Sequence, residues 1–160
     1  MKNKNTGEGG IMLTYSIVEK APFTIVGVKR RFHADTGYRE IPKFWEECLA
    51  QGDSRPIMGT FGVCIDMEGQ DFDYWIADLY FPWEEIPAGC ETRVIPGGVW
   101  AQFPCTLDTL QEVNAKIRAE WLPAPEGYTL AGDYDLELYL PPEEGSEEMT
   151  VQIWVPLKKG

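Results

Sequence analysis

Histidine is almost missing from this chain, with His33 standing alone. The four cysteines, Cys48, Cys64, Cys90 and Cys105, are far apart and never form a C-x-x-C pair. Neither a zinc set nor a redox pair is therefore on offer, and free thiols in a reducing compartment are the simplest arrangement. Basic residues are scarce too. Against 26 Asp and Glu stand 14 Lys and Arg, a formal net charge of −12, which argues against nucleic-acid binding through phosphates and against an anionic membrane surface. No run of about 18 apolar residues exists to cross a bilayer, and residues 1–10 lack the apolar stretch of a signal peptide. A cytoplasmic protein with a flexible tail over residues 1–10 is the expectation. Catalytic signatures are missing as well: there is no G-x-S-x-G, no phosphate-binding glycine loop, no G-x-G-x-x-G after a strand and no H-E-x-x-H.

What is abundant is large apolar surface. Of 160 residues, 44% are hydrophobic and 12% aromatic, with 6 tryptophans, ample for a core in one domain or in two small halves that share one. The acidic balance suits a cationic small molecule or a basic partner, although it serves solubility as readily. Thr24 to Phe32 is rich in β-branched residues and reads as a strand, with His33 to Arg39 a polar connection. Ile41, Phe44, Trp45, Cys48 and Leu49 then stand at i, i+3, i+4, i+7 and i+8, one apolar helical stripe that Gly52 stops. Ile57 to Asp66 and Phe72 to Phe81, around Glu68-Gly69-Gln70, make an antiparallel hairpin.

The order repeats in the second half. Glu91 to Phe103 reads as a strand bulged at Pro96-Gly97-Gly98, and Leu107 to Trp121 as a helix with Leu110, Val113, Ile117 and Trp121 on one face. Thr106 or Asp108 can cap that helix, and Pro123 and Pro125 end it. Leu136, Leu138 and Leu140 alternate with polar residues, as do Val151, Ile153, Val155 and Leu157 after a solvated acidic loop, so two more strands follow. The expected class is α+β: two β-α-β-β halves, about 11–86 and 87–160, with antiparallel sheets and helices on one face. Neither half buries its apolar surfaces alone.

Glu137 stands out among the carboxylates because it shares one strand face with Tyr139. If the last two strands pair, Trp154 is expected on that face as well, so that a carboxylate lies amid phenol and indole, a set that suits an organic cation. A solvated glutamate is the bland alternative. Rings occur on both faces of Phe72 to Phe81, Tyr74 among them, which a cavity between the halves would explain. Trp100 can join it, Trp121 serves either core or cavity wall, and Trp45 reads as core. Trp83, between Pro82 and two glutamates, is a surface anchor or a lid. His33 and Cys64 read as structural.

These pieces resemble a known family, the AraC-type effector-binding or GyrI-like domain of bacteria. The likeness rests on Ile41-Pro42-Lys43-Phe44-Trp45, Phe72-Asp73-Tyr74, Ile95-Pro96-Gly97-Gly98-Val99-Trp100-Ala101-Gln102-Phe103, Glu120-Trp121-Leu122-Pro123 before Gly127-Tyr128, Leu136-Glu137-Leu138-Tyr139 and Ile153-Trp154-Val155-Pro156-Leu157. It covers nearly all of the chain after residue 10. It implies two SHS2-like β-α-β-β repeats with a ligand cleft between the halves, and multidrug-type binding of lipophilic, often cationic compounds. The family's pocket glutamate falls on Glu137 and its pocket aromatics on Tyr74 and on Trp100, where tyrosine is commoner. Three functions compete: a stand-alone binding module using Glu137, Tyr139, Tyr74, Trp100, Trp154 and Trp121; a hydrolase of strained cyclopropanoid electrophiles with Glu137 as general base; and an interaction module for a protein such as gyrase or a transcription regulator. No cofactor is called for, haem included, since His33 is the only histidine. The 160 residues contain no helix-turn-helix, so direct nucleic-acid binding is not expected.

Overall fold

The computed structural model describes residues 2–6, 12–121, 127–132, 134–142, 144–146 and 149–159, with Lys2 to Thr6, Met12 and Tyr38 described by backbone only. In chain order the elements are β1 Lys2–Thr6, β2 Met12–Lys20, β3 Phe23–His33, α1 Ala34–Leu49, β4 Phe61–Glu68, β5 Asp71–Tyr80, β6 Glu91–Ile95, β7 Gly98–Thr106, α2 Leu110–Lys116, β8 Tyr128–Leu130, β9 Asp135–Leu140 and β10 Thr150–Lys159. All strand pairs within the units are antiparallel, and the class is α+β.

The chain forms two compact units, one of Met1–Ala21 with Gly97–Gly160, the other of Pro22–Pro96. This differs from a division near residue 86. Strand β6 pairs with β3 and so stays with the elements before it, whereas β2 pairs with β7 and so joins the C-terminal strands. Pro96, with no N–H to give a ladder, separates β6 from β7, so the expected single bulged strand is two strands with different partners.

In the Pro22–Pro96 unit the strand order is β4-β5-β3-β6, and α1 packs on one face. Phe32, Phe72, Tyr74 and Ile76 from the sheet meet Phe44 and Cys48 of the helix, with Ile41 and Trp45 at the margin, whereas Leu49, the last residue of the expected stripe, is exposed at the helix end. The helix starts at Ala34, seven residues before Ile41, so the expected connection is its first two turns. His33 supplies the reason: its Nδ1 accepts from the Asp35 N–H at 3.1 Å and caps the helix, and Thr36 Oγ1 donates to Glu40 at 2.6 Å. Pro42 sits inside the helix, beyond its first turn.

The loop before β4 is held by one carboxylate. Asp78 on β5 accepts from the N–H groups of Met58, Gly59 and Thr60 at 2.7, 2.9 and 3.0 Å. Three successive donors converge because Gly59 takes φ +91, where a side chain would also strike Trp45. Asp78→Ala should therefore lower stability by about 2 kcal/mol, read from urea midpoints, since hydrogen bonds to a charged acceptor contribute most. Unchanged stability would mean that the three donors are equally well served by water.

In the other unit the order is β1-β2-β7-β10-β9, with β8 paired to the end of β10. Lys2–Thr6, expected as part of a flexible tail, pairs with β2 as β1, so the open edge of β2 supplies what the polar sequence does not signal. Leu13 and Tyr15 of β2, Ala101 and Phe103 of β7, and Ile153, Val155 and Leu157 of β10 bury against Val113, Ile117 and Trp121. The second helix is shorter than the sequence implied. Leu107 to Thr109 is a turn, α2 follows, and Ile117–Trp121 widens into a π-turn. Neither Thr106 nor Asp108 caps it: the N-cap position is Thr109, whose side chain accepts from the Thr106 N–H instead. Pro123 and Pro125 lie outside the described residues.

Candidate functional site

Pairing of β9 with β10 fixes which side chains share a face. Glu137 stands opposite Ile153 and Tyr139 opposite Val151, while Leu136 stands opposite Trp154. On β7, Phe103 is opposite Ile153 and Cys105 opposite Val151. Directly opposed residues in an antiparallel pair project to one side. Two rows therefore cross the sheet on the face that α2 covers: Phe103, Ile153, Glu137 and Cys105, Val151, Tyr139. The half-buried Glu137 carboxylate ends the first row beside buried hydrocarbon.

Its geometry is fixed by its neighbour two residues on, because the Tyr139 hydroxyl donates to Glu137 Oε1 at 2.7 Å. Burial, and after it the Glu137 charge, push the Cys105 thiol up to about 12. That sulfur stays neutral beside the carboxylate and offers no thiolate. At the start of β9, Asp135 is ion-paired with Arg118 of the π-turn. Glu137, Tyr139 and Asp135 thus lie along one side of one strand, with the ion pair at its beginning.

Trp154 does not join them. Its position opposite Leu136 puts it on the other face, where its ring lies 5.7 Å from that of Trp100, and Trp100 meets Tyr134 edge-on at 5.8 Å. The expectation that Trp154 shares a face with Glu137 is thereby corrected. Alternation shows that a strand has two sides, but the side shared with a neighbour depends on register. Lys20 lies 5.6 Å over the Trp154 ring, and the Trp154 indole donates to Gln152 Oε1 at 3.1 Å. Nothing in the local sequence pattern marks Tyr134. Burial raises its pKa.

Trp121 stays on the Glu137 face but within the core, edge-on to Tyr15 at 5.0 Å and to Phe103 at 4.9 Å. Among the described residues its indole N–H, like those of Trp75 and Trp100, is buried without a hydrogen-bond partner. Tyr74 belongs to the Pro22–Pro96 unit, buried against α1 with its hydroxyl accepting from Trp45 Nε1 at 2.9 Å. Trp45, read as core from the stripe, is thus also a polar contact. Tyr15, on a strand with no expected role at the site, is a wall of the aromatic core beneath Trp121.

Among the described residues no helix is long and apolar enough to cross a membrane, and no group of three His, Cys, Asp or Glu side chains could hold a metal ion. The chain is thus an antiparallel α+β sheet with an aromatic core on one face and a half-buried carboxylate beside that core. The chain belongs to the GyrI-like small molecule binding domain family, whose family model matches residues 13–158. No curated protein matches it. Among solved structures it is similar to SAV2435 bound to tetraphenylphosphonium, with 21% identity over 90% of this chain and 93% of that one and a TM-score of 0.68. An integron cassette protein from the mobile metagenome of Vibrio cholerae is 16% identical over 90% and 95% of the two chains, with a TM-score of 0.66. The EcmrR C-terminal domain is 15% identical over 92% and 99%, with a TM-score of 0.52. At such identities the likeness is one of fold.

Proposed function

We propose that this protein binds lipophilic cations, aromatic ones above all, with Glu137 as the counter-charge and Tyr139 as the group that orients it. The observation that carries this reading is the half-buried carboxylate, held at 2.7 Å by a phenol at the end of a row of buried hydrocarbon. A lipophilic cation loses little hydration on leaving water, so a carboxylate in such surroundings attracts it more strongly than one in bulk solvent. Trp121, on the same face, bounds the apolar side. Trp100 and Trp154 contribute to the other face and act on the site only through the sheet. Family membership and the phosphonium found on SAV2435 agree with this chemistry.

Tryptophan fluorescence would be titrated with tetraphenylphosphonium and, in parallel, with neutral triphenylphosphine oxide. Glu137→Gln keeps an acceptor for Tyr139 and removes only the charge. Phosphonium binding should weaken roughly tenfold, about 1.4 kcal/mol, with the oxide unaffected and both compounds recovered unchanged. Equal phosphonium affinity in the two proteins, or none in either, would reject Glu137 as the counter-charge.

A further inference from the structure

A second feature lies in the Pro22–Pro96 unit, on the segment that follows β5. Phe81 and Trp83 stack face to face, with centroids 4.8 Å apart and planes within 7°, yet Trp83 is 80% exposed and Phe81 40%. Ile86 beside them is 49% exposed. This is no fraying loop. The Phe81 N–H donates to Glu84 Oε1 at 2.9 Å, the Glu84 N–H returns to the Phe81 carbonyl at 2.9 Å, and the Tyr80 hydroxyl donates to the Glu84 carbonyl at 3.0 Å. A closed, hydrogen-bonded turn therefore holds two rings in register with one face of the indole open to water. An apolar cluster tied by three hydrogen bonds and still this exposed marks a surface that something covers.

Its charge narrows the occupant. Residues 81–91 contain Glu84, Glu85 and Glu91 and no Lys, Arg or His, on a chain of net charge −12. Phosphate-bearing partners, nucleic acid or anionic lipid, are repelled. A second copy of this chain would bring the same carboxylates together. A small ligand on a ring this exposed would bury little of its own surface. What fits is a planar cation delivered by a larger body: an arginine guanidinium stacks on an indole face, is weakly hydrated, and can pair with a carboxylate at the rim.

We propose that the Phe81–Trp83 turn is a docking surface for an arginine-bearing basic segment of another protein, with Trp83 as the anchor and Glu85 at the rim. This is independent of cation binding at Glu137. The probe is a short labelled peptide alternating arginine with leucine, titrated by fluorescence anisotropy at low and high salt, beside a version with lysine in place of arginine. Trp83→Ala removes an exposed side chain, so its urea midpoint should match wild type. Its affinity for the arginine peptide should fall roughly tenfold. Wild type should prefer arginine to lysine by about threefold, a preference that Trp83→Ala loses. Glu85→Gln should weaken binding mainly at low salt. Equal affinity of wild type and Trp83→Ala, no binding by wild type, or self-association in sedimentation that Trp83→Ala abolishes would each overturn the proposal, the last in favour of a second copy.

Discussion

Gly27→Ala should cost about 3 kcal/mol of folding stability, the upper end of what an added methyl costs in a packed interior. Gly27 lies on β3 directly opposite Ala77 of β5. A Cβ at this position would stand 2.2 Å from the Ile76 carbonyl oxygen, 2.7 Å from the Ala77 Cβ and 2.8 Å from its Cα. Two of those three atoms are backbone in a ladder of ten paired residues, so they cannot retreat without loss of hydrogen bonds on either side. A rescue experiment separates the contributions. Ala77→Gly in the Gly27→Ala background removes the side-chain contact and leaves the carbonyl contact, so it should recover less than half of the loss. Full recovery would identify the methyl as the whole obstacle, and wild-type stability of the single variant would contradict the register of β3 on β5. The same ladder carries Tyr74, two residues before Ile76, so the variant should also disturb the Trp45–Tyr74 hydrogen bond and shift tryptophan emission.

Sequence periodicity reaches some of this structure and stops at identifiable points. The stripe of Ile41, Phe44, Trp45, Cys48 and Leu49 predicts the buried side of α1 at every position but the last, because helical spacing maps directly onto one face and Leu49, at the end of the helix, is left exposed. Its start is hidden because the cap is a histidine, which reads as a polar connection until its ring nitrogen is seen to accept from Asp35. The alternation of Leu13, Tyr15 and Ile17 is a strand signal in full view, yet a segment next to a polar tail has no evident partner until β7 is seen beside it. Glu137 and Tyr139 are legible as a pair because both sit on one strand, two residues apart. Trp154 is not, because cross-strand register depends on the loop between the strands, and a shift of one residue exchanges the faces. The widening of α2 into a π-turn has no mark in the sequence, although it sets Trp121 against Phe103.

Phe103→Ala should be the most destabilising change in the unit that carries Glu137, at about 3–5 kcal/mol. Phe103 is completely buried, 5.4 Å from the Tyr15 ring and 4.9 Å from Trp121, with Ile153 opposite it on β10. Truncation removes ring contacts with two aromatic partners at once and leaves a cavity below the π-turn, where the Trp121 indole N–H has no partner among the described residues. A loss of this size is a large fraction of the roughly 5–15 kcal/mol that holds an ordinary domain together. Phe103→Leu retains most of the volume and should lose only about 1.5 kcal/mol. The milder variant also separates stability from binding. Glu137 is held by Tyr139 from its own strand, not by Phe103, so Phe103→Leu should leave phosphonium affinity within about twofold. Glu137→Gln should do the reverse, changing affinity roughly tenfold and stability by less than about 1 kcal/mol, because a half-buried amide still accepts from Tyr139. If instead Phe103→Leu weakens phosphonium binding as much as Glu137→Gln does, the carboxylate acts through the packing of the whole row, and the aromatic core is itself part of the site.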